Sequence, residues 1–324
     1  MTADPGAGPI GVVLMAYGTP ATPADVEPYY THIRRGRPPT PEQLANLQMR
    51  YDALGGTSTL AARTADQVAG ITAALERLQP GGFVTALGQK HAFPFIEDGV
   101  AQLADQGVRS VIGVVLAPHY SGFSVGEYQA RVAAAAADAG LPATGIERWH
   151  DLPEYRAFLA GAVAAGLRDL PPRTEVVFTA HSLPERVLAD DPYPDELRAS
   201  AEAVAGLAGI RRREAVDGST PADDARWSIA WQSAGATPGL RRPDILDVIR
   251  ERAQDRDVDG ILVCPQGFVS DHLEVAYDLD IEAARVAAEA GIAFARTQVL
   301  NDDPTVLTAL AARIAALVPH TPVP

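Results

Sequence analysis

The sequence predicts an α/β protein built from two similar units, each a four-stranded parallel sheet flanked by helices. Three observations carry this. The chain has 324 residues, more than one hydrophobic core usually serves, so two domains of ~150 residues each are expected. Short apolar runs alternate with Ala-rich stretches, the pattern of parallel strands covered by helices on both faces. The halves also resemble each other: VVLMAYGTP (12–20) aligns with VVFTAHSLP (176–184), LGQKHAFP (87–94) more loosely with WQSAGATP (231–238), and VVLAPHYSGFSVGEY (114–128) with LVCPQGFVSDHLEVAY (262–277). Three matches in one order point to a duplicated unit.

Apolar runs place strands at 10–16, 82–88, 110–117 and 144–149 in the first half. In the second half they fall at 175–181, 227–232, 259–265 and 293–299. Apolar spacing near 3.6 residues predicts helices at 59–78, 95–106, 125–139, 154–168, 194–208, 243–254, 272–290 and 304–317. Residues 1–8 and 318–324 read as tails, 9–150 as the first lobe and 151–317 as the second.

With 41 acidic and 27 basic side chains the formal charge is −14, which argues against nucleic-acid binding, because phosphate neutralisation needs a basic surface. Lys90 is the only lysine and Cys264 the only cysteine, so neither an internal disulfide nor a four-thiolate metal site can form within the chain. No apolar run reaches the ~18 to 20 residues that span a bilayer. The start lacks a basic region before its apolar run, so that run reads as a strand and not a signal peptide, and a cytoplasmic protein is expected.

Ligands of open α/β sheets sit beyond the carboxyl ends of the strands. The first strand leads into Ala16-Tyr17-Gly18-Thr19-Pro20. It does not lead into a G-x-G-x-x-G turn, and G-x-x-x-x-G-K-[ST] does not occur, which removes the best support for nucleotide chemistry. Ser182 lies in Ala-His-Ser-Leu-Pro and lacks the G-x-S-x-G elbow of a hydrolase.

His181 closes the fifth strand, where an imidazole can bind a metal, move protons near neutral pH, or simply satisfy loop carbonyls. In 270–291, Ser270 or Asp271 is placed to cap a helix, and Glu274, Asp278 and Glu282 then recur every four residues on one face. Such a stripe is either a solvated face, with Asp271 and Glu274 forming a capping box, or a line of hard oxygen ligands. Glu274 and Glu282 would stand roughly 12 Å apart along an α-helix. Carboxylate–metal bonds are only ~2 Å long, so the three acids cannot share one ion, but they can form a relay, or two sites with one acid at each end. The segment Tyr29 to Arg37, with Arg50-Tyr51 and Gly55-Gly56-Thr57-Ser58, offers arginine forks for carboxylates and aromatic faces for a flat ligand. It reads equally as a surface loop paired with nearby acids. Lys90-His91 reads as ordinary surface.

At these residues the chain resembles the ferrochelatase family, closest to bacterial coproporphyrin III-type members of an actinobacterial kind. MAYGTP, YYTHIRRGRPP, RYDALGGTS, LAPHYSGFSVGEY, AHSLPE, DPYPDEL, WQS and GFVSDHLEVAYDLDIEA are its successive signatures, covering Gly11 to about Leu317. The resemblance implies a chelatase-like fold of two Rossmann-like lobes with a porphyrin cleft between them, and insertion of Fe²⁺ into coproporphyrin III without an organic cofactor. It implies that His181 and Glu274 receive iron and remove pyrrole protons, that Asp278 and Glu282 extend the metal path, and that Tyr17 meets the opposite face of the ring. Arg34, Arg50, Tyr51, Ser58 and Tyr128 match positions that contact the porphyrin or its propionates.

A [2Fe–2S] cluster, present in some relatives, is not expected with one Cys. No membrane-inserting lip or dimerisation extension is apparent, so a monomer is expected. Beside its porphyrin and Fe²⁺ substrates, transient contacts with an upstream oxidase and a downstream haem-synthesis enzyme are expected. Thr59 follows Ser58 where relatives often have Pro, the loop 237–245 is short and lacks Trp, and Phe93 stands at an often acidic position, which leaves substrate handling open. A protoporphyrin enzyme, a haem carrier on the same scaffold, and a Co²⁺ or Ni²⁺ chelatase are the alternatives.

Overall fold

The structure is a computed structural model describing residues 8–212, 226–234 and 239–318. The expected tails, apart from Gly8 and Val318, and positions 237 and 238 of the short loop lie outside the described residues. The chain divides into two compact units. The first holds the described residues up to Leu152 and those from Asn301 onward, the second those from Pro153 to Leu300.

In the first unit the central strand is β1 (Ile10–Ala16), whose seven residues are all buried. That explains its unbroken apolar run: a strand covered on both faces gains nothing from alternation. It pairs in parallel with β2 (Phe83–Gln89) and β3 (Ser110–Val115), and β4 (Ala143–Ile146) pairs outside β3. The order is β2-β1-β3-β4. Val13 and Met15 meet Ile96, Val100 and Leu103 of helix Ile96–Asp105 and Tyr128 and Val132 of helix Glu127–Asp138 in one core.

The second unit repeats the plan. Its strands are β5 (Thr174–His181), β6 (Arg211–Arg212), β7 (Arg226–Gln232), β8 (Gly260–Cys264) and β9 (Ala293–Arg296), in the parallel order β6-β7-β5-β8-β9. Four strands therefore match the first sheet position for position, as the internal repeat predicts, and β6 is an addition at the edge. Two polar residues give no apolar run by which a sequence reading could find it. Each unit also carries a π-helical segment after the strand that follows the sheet's centre, Gly122–Gly126 in one and Asp278–Ala283 in the other.

Besides the single turn Glu185–Leu188, two longer helices, Val26–Ile33 and Pro41–Ala53, were not anticipated. Each buries only one residue, Val26 or Tyr51, so apolar periodicity is silent. The second has a local signature instead: Thr40 Oγ1 accepts from the Gln43 amide (3.2 Å), Gln43 Oε1 accepts from the Thr40 amide (3.0 Å), and Pro41 opens the first turn.

The boundary also differs from the expected one. Helix Pro304–Ala315 belongs to the first unit, not to the second lobe. Its apolar face of Val306, Leu307, Leu310, Ala311 and Ile314 is buried, and it packs on helix Leu60–Leu78. Gly70 makes the close approach feasible, since a Cβ there would stand 2.6 Å from Leu307 Cδ1. Gln67 Nε2 donates to the Asn301 carbonyl (2.8 Å), and Arg313 pairs with Asp151. Among the described residues no helix is long and apolar enough to cross a membrane.

Candidate functional site

In the second unit, parallel pairing of β5 with β7 puts His181 beside Gln232 at the carboxyl ends of both strands. Gln232 is fully buried, and both ends of its amide are engaged. Oε1 accepts from Thr179 Oγ1 (2.7 Å) and Nε2 donates to the main-chain oxygen of Glu274 (2.7 Å). The Glu274 backbone is thereby fixed to the sheet, and Glu274 Oε2 meets His181 Nδ1 at 2.7 Å. Gln232 lies in the WQS motif, which by itself assigns it no role. An amide closing a buried strand was the available signal, because a buried polar group must find partners.

The pair is half-buried, with side-chain exposures of 43% for His181 and 33% for Glu274, so it remains open to a ligand. Burial alone would lower the His181 pKa. The charge and hydrogen bond of Glu274, with the charge of Asp278, outweigh it and hold the pKa above the ordinary value. A carboxylate on Nδ1 fixes the tautomer with the proton on that nitrogen and leaves the lone pair on Nε2.

The acid-bearing segment is not the single helix the spacing suggested. Helix Leu273–Ala276 begins after His272, passes into the π-helical turn Asp278–Ala283, and returns to α-helix at Ala284–Ala290. The amide of Glu282 reaches the carbonyl of Tyr277, five residues back, at 2.9 Å. The extra residue per turn rotates Glu282 away from its α-helical register with Asp278. Asp278 is buried and accepts from Ser233 Oγ (3.0 Å), and Ser233 sits at φ +61° just past β7. Asp278 thus acts on His181, whereas among the described residues no interaction ties the half-buried Glu282 to the pair. Neither Ser270 nor Asp271 caps the helix: His272 holds the N-cap position, and Asp271 pairs with Arg296 (3.0 Å), which also grips Asp280. Arg296 therefore clamps the segment at both sides of Glu274.

His272 was also missed. Its ring lies against Phe268 (centroids 4.9 Å apart). Burial, only partly offset by Glu274, lowers its pKa. Among the described residues no group of three or more His, Cys, Asp and Glu side chains is placed to hold a metal ion. The site is a histidine–carboxylate pair.

In the first unit the equivalent turn follows β1. Tyr17 is 43% exposed, and Gly18 behind it adopts φ +90°, where a Cβ would meet Ala92 at 2.8 Å. Tyr29 Oη donates to the Gly18 carbonyl (2.9 Å). Arg34 lies over the Tyr30 ring, 5.7 Å from its centroid, and its Nε donates to the Arg37 carbonyl (3.2 Å). Arg50 is half-buried on helix Pro41–Ala53. Ser58 Oγ accepts from the Leu60 amide (3.1 Å), opening the next helix. Tyr51 and Tyr128 are each only 3% exposed, so either could offer a ligand no more than an edge. Burial, with Tyr17 and Glu127 adding to it, pushes the Tyr128 pKa well up.

Lys90 and His91 are not ordinary surface. Lys90 is buried, donates to Glu127 Oε2 (2.7 Å) and stands 5.0 Å from the Tyr128 ring centroid. His91 is half-buried against Tyr17, with ring centroids 4.6 Å apart. The main chain extends the β1–β2 ladder to hold both, through Lys90 N to Ala16 O (2.9 Å) and His91 N to Tyr17 O (3.0 Å).

The family described as Ferrochelatase matches residues 9–317 of the chain. A coproporphyrin III ferrochelatase of Geobacillus kaustophilus (strain HTA426) is 40% identical over 309 residues, covering 93% of each chain. One from Bacillus subtilis (strain 168) is 37% identical over 310 residues, covering 93% of this chain and 96% of its own. These relatives are of the Bacillus type, not the actinobacterial kind expected. Among solved structures, SirB from Bacillus subtilis with Fe³⁺ superposes with a TM-score of 0.54 at 12% identity, covering 95% of this chain and 94% of that one. CbiX, the terminal enzyme for biosynthesis of sirohaem in denitrifying bacteria, does so at 0.52 and 16%, covering 96% and 100%. At such identities the likeness is one of fold.

Proposed function

The chain belongs to the ferrochelatase family, and on that premise we propose that it inserts Fe²⁺ into coproporphyrin III to give iron coproporphyrin III, as its relatives' names suggest. The observation that carries the reading is the 2.7 Å contact between His181 Nδ1 and Glu274 Oε2. Two pyrrole protons must leave as the metal enters. His181 Nε2 accepts one, and the imidazolium so formed is stabilised by Glu274, with Asp278 behind it. A positioned base of this kind is worth ~10²- to 10⁴-fold. Imidazole and carboxylate hold Fe²⁺ without trapping it as thiolates would. In this reading Asp278 and Glu282 lead the cation inward, Tyr17 meets the ring, and Arg34, Arg50, Tyr51, Ser58 and Tyr128 line its porphyrin and propionate contacts.

Iron is a substrate and no organic cofactor is required. Cys264 is a buried thiol whose pKa burial pushes up to about 12, so it stays protonated and serves as a core residue. We place the enzyme in the cytoplasm as a monomer, with transient contacts to the oxidase that supplies porphyrin and the enzyme that consumes its product. Anaerobic absorbance assays with Fe²⁺ and either coproporphyrin III or protoporphyrin IX test the proposal. Fast metallation of coproporphyrin III alone is expected. Preference for protoporphyrin IX would overturn the substrate, and binding without metallation would overturn the activity.

A further inference from the structure

Two imidazoles meet beside Tyr17. His32 Nδ1 and His91 Nδ1 are 2.9 Å apart, so one ring donates a proton to the other. His32 lies in the last turn of helix Val26–Ile33 and is exposed, whereas His91 is half-buried against Tyr17. The Phe95 ring stacks on His32 with centroids 5.2 Å apart, which fixes the plane of the outer imidazole. The contact thus runs from the Tyr17 ring to solvent in two steps.

We propose that His91 and His32 form a two-imidazole proton relay, which removes one pyrrole proton on the Tyr17 side of the porphyrin and releases it to solvent. The relay rests on the reading that the Tyr17 turn meets porphyrin. Two protons must leave for each metal inserted, and His181 accounts for one.

The transfer balances without a charge resting on the inner ring. His91 begins with its proton on Nδ1 and its lone pair on Nε2. The pyrrole N–H bond breaks, its electron pair stays on nitrogen for the metal, and a new N–H bond forms at His91 Nε2. In the same passage the Nδ1 proton of His91 crosses to His32 Nδ1, and the Nε2 proton of His32 goes to water. The surroundings of His91 call for such a passage. Burial, the charges of Lys90, His32 and Arg131, and only partial compensation by Glu127 lower its pKa to about 4. A lone His91 would be a weak base, but a ring that gives up one proton as it takes another is never an imidazolium. Lys90 cannot substitute, because its ammonium is already donated to Glu127 and offers no lone pair. Glu97 is occupied by Arg131 (2.6 Å) and Arg35 bears on Glu127, so neither acid facing the pair takes the proton.

The test compares the parent with His32→Ala and His32→Asn, using coproporphyrin III and Fe²⁺ under anaerobic conditions. His32 is exposed, so its replacement leaves the core intact. His32→Ala is expected to lower kcat roughly 10- to 100-fold at unchanged porphyrin KM, at or below the lower end of what one proton acceptor supplies. Added imidazole is expected to restore the rate relative to the parent in the same buffer. His32→Asn can accept the His91 hydrogen bond but cannot pass a proton on, so it should resemble His32→Ala. Parental kcat in His32→Ala, repair by Asn, or a loss that imidazole does not repair would each overturn the relay while leaving the activity standing. Absence of metallation by the parent would overturn the activity and the relay together.

Discussion

Gln232 donates its amide to the main-chain oxygen of Glu274 over 2.7 Å, joining the end of one strand to the segment that carries the acid. The same amide accepts from Thr179 on the neighbouring strand, so the histidine and carboxylate that touch each other hang from one hydrogen-bonded frame. The frame explains why a short helix of four residues, interrupted by a π turn, can hold a carboxylate on an imidazole.

Gln232→Leu removes that frame at nearly constant volume and leaves the Thr179 hydroxyl and the Glu274 carbonyl to find other partners. Each lost partner in a buried setting costs about 1–3 kcal/mol. Urea unfolding should therefore show a loss of at least ~1 kcal/mol. Metallation kcat should fall while porphyrin KM changes little, because the substitution loosens Glu274 and removes none of the proposed porphyrin contacts. Parental kcat in a folded Gln232→Leu protein would mean that Glu274 is held by other contacts.

The two acids at the ends of the expected stripe should behave differently. Glu274→Gln keeps the volume and removes the charge that stabilises the His181 imidazolium, so kcat should drop by about 10²-fold or more. Glu282 makes no contact with the pair, and a half-buried charge that acts through solvent supplies only a fraction of a kcal/mol. Glu282→Gln should raise the iron concentration needed for half-maximal rate by less than ~5-fold, with kcat unchanged. Steady-state kinetics over iron concentration distinguish the two. Equal losses in kcat would make Glu282 part of the reacting centre, and unchanged iron dependence would make the stripe a solvated face.

What the sequence made legible follows from what burial demands of it. β1, buried along its whole length, is apolar throughout and announces itself as a run, and β5 does so through Val176, Val177 and Phe178 between buried polar residues. The pairing of His181 with Glu274 came from family motifs, not from spacing, because 93 residues separate them. Glu282 was placed by an α-helical count that the hydrogen bond from its amide to Tyr277 breaks. The contact of His32 with His91 spans 59 residues and has no periodic signature at all. Lys90 was read as surface because lysine is seldom buried. Its burial depends on Glu127, whose proximity only the fold reveals.

Acid should destabilise the first unit through His91. Its pKa is near 6.5 in the unfolded chain and about 4 in the folded protein. Between those values the unfolded state binds more protons, so stability is full above pH 6.5 and is lost as pH falls towards 4. The unshielded shift would correspond to ~3 kcal/mol, and partial exposure reduces the expected loss to about 1–2 kcal/mol. Urea unfolding at pH 7 and pH 4.5 measures it. His91→Gln removes the titrating group, so the drop between the two pH values should shrink by that amount. An equal drop in the variant would assign the acid sensitivity to carboxylates such as Glu97, whose pKa Arg131 holds down.

The last helix tests where the second unit ends. Leu307 is 2% exposed and occupies the space over Gly70, so its truncation opens a cavity between helices Pro304–Ala315 and Leu60–Leu78. Leu307→Ala should cost about 2–5 kcal/mol of the stability of the first unit. Hydrogen exchange can localise the loss. Amides of Leu60–Leu78 and of β2, which that helix also contacts, should exchange faster, and those of β5 and β8 should not. Gly70→Ala attacks the same contact from the other side by forcing the Leu307 methyl aside, and should reproduce the pattern at smaller cost, because a flexible side chain can yield. Faster exchange in β5 and β8 in either variant would show that the carboxyl-terminal helix supports the second unit after all, which is where its position in the sequence first placed it.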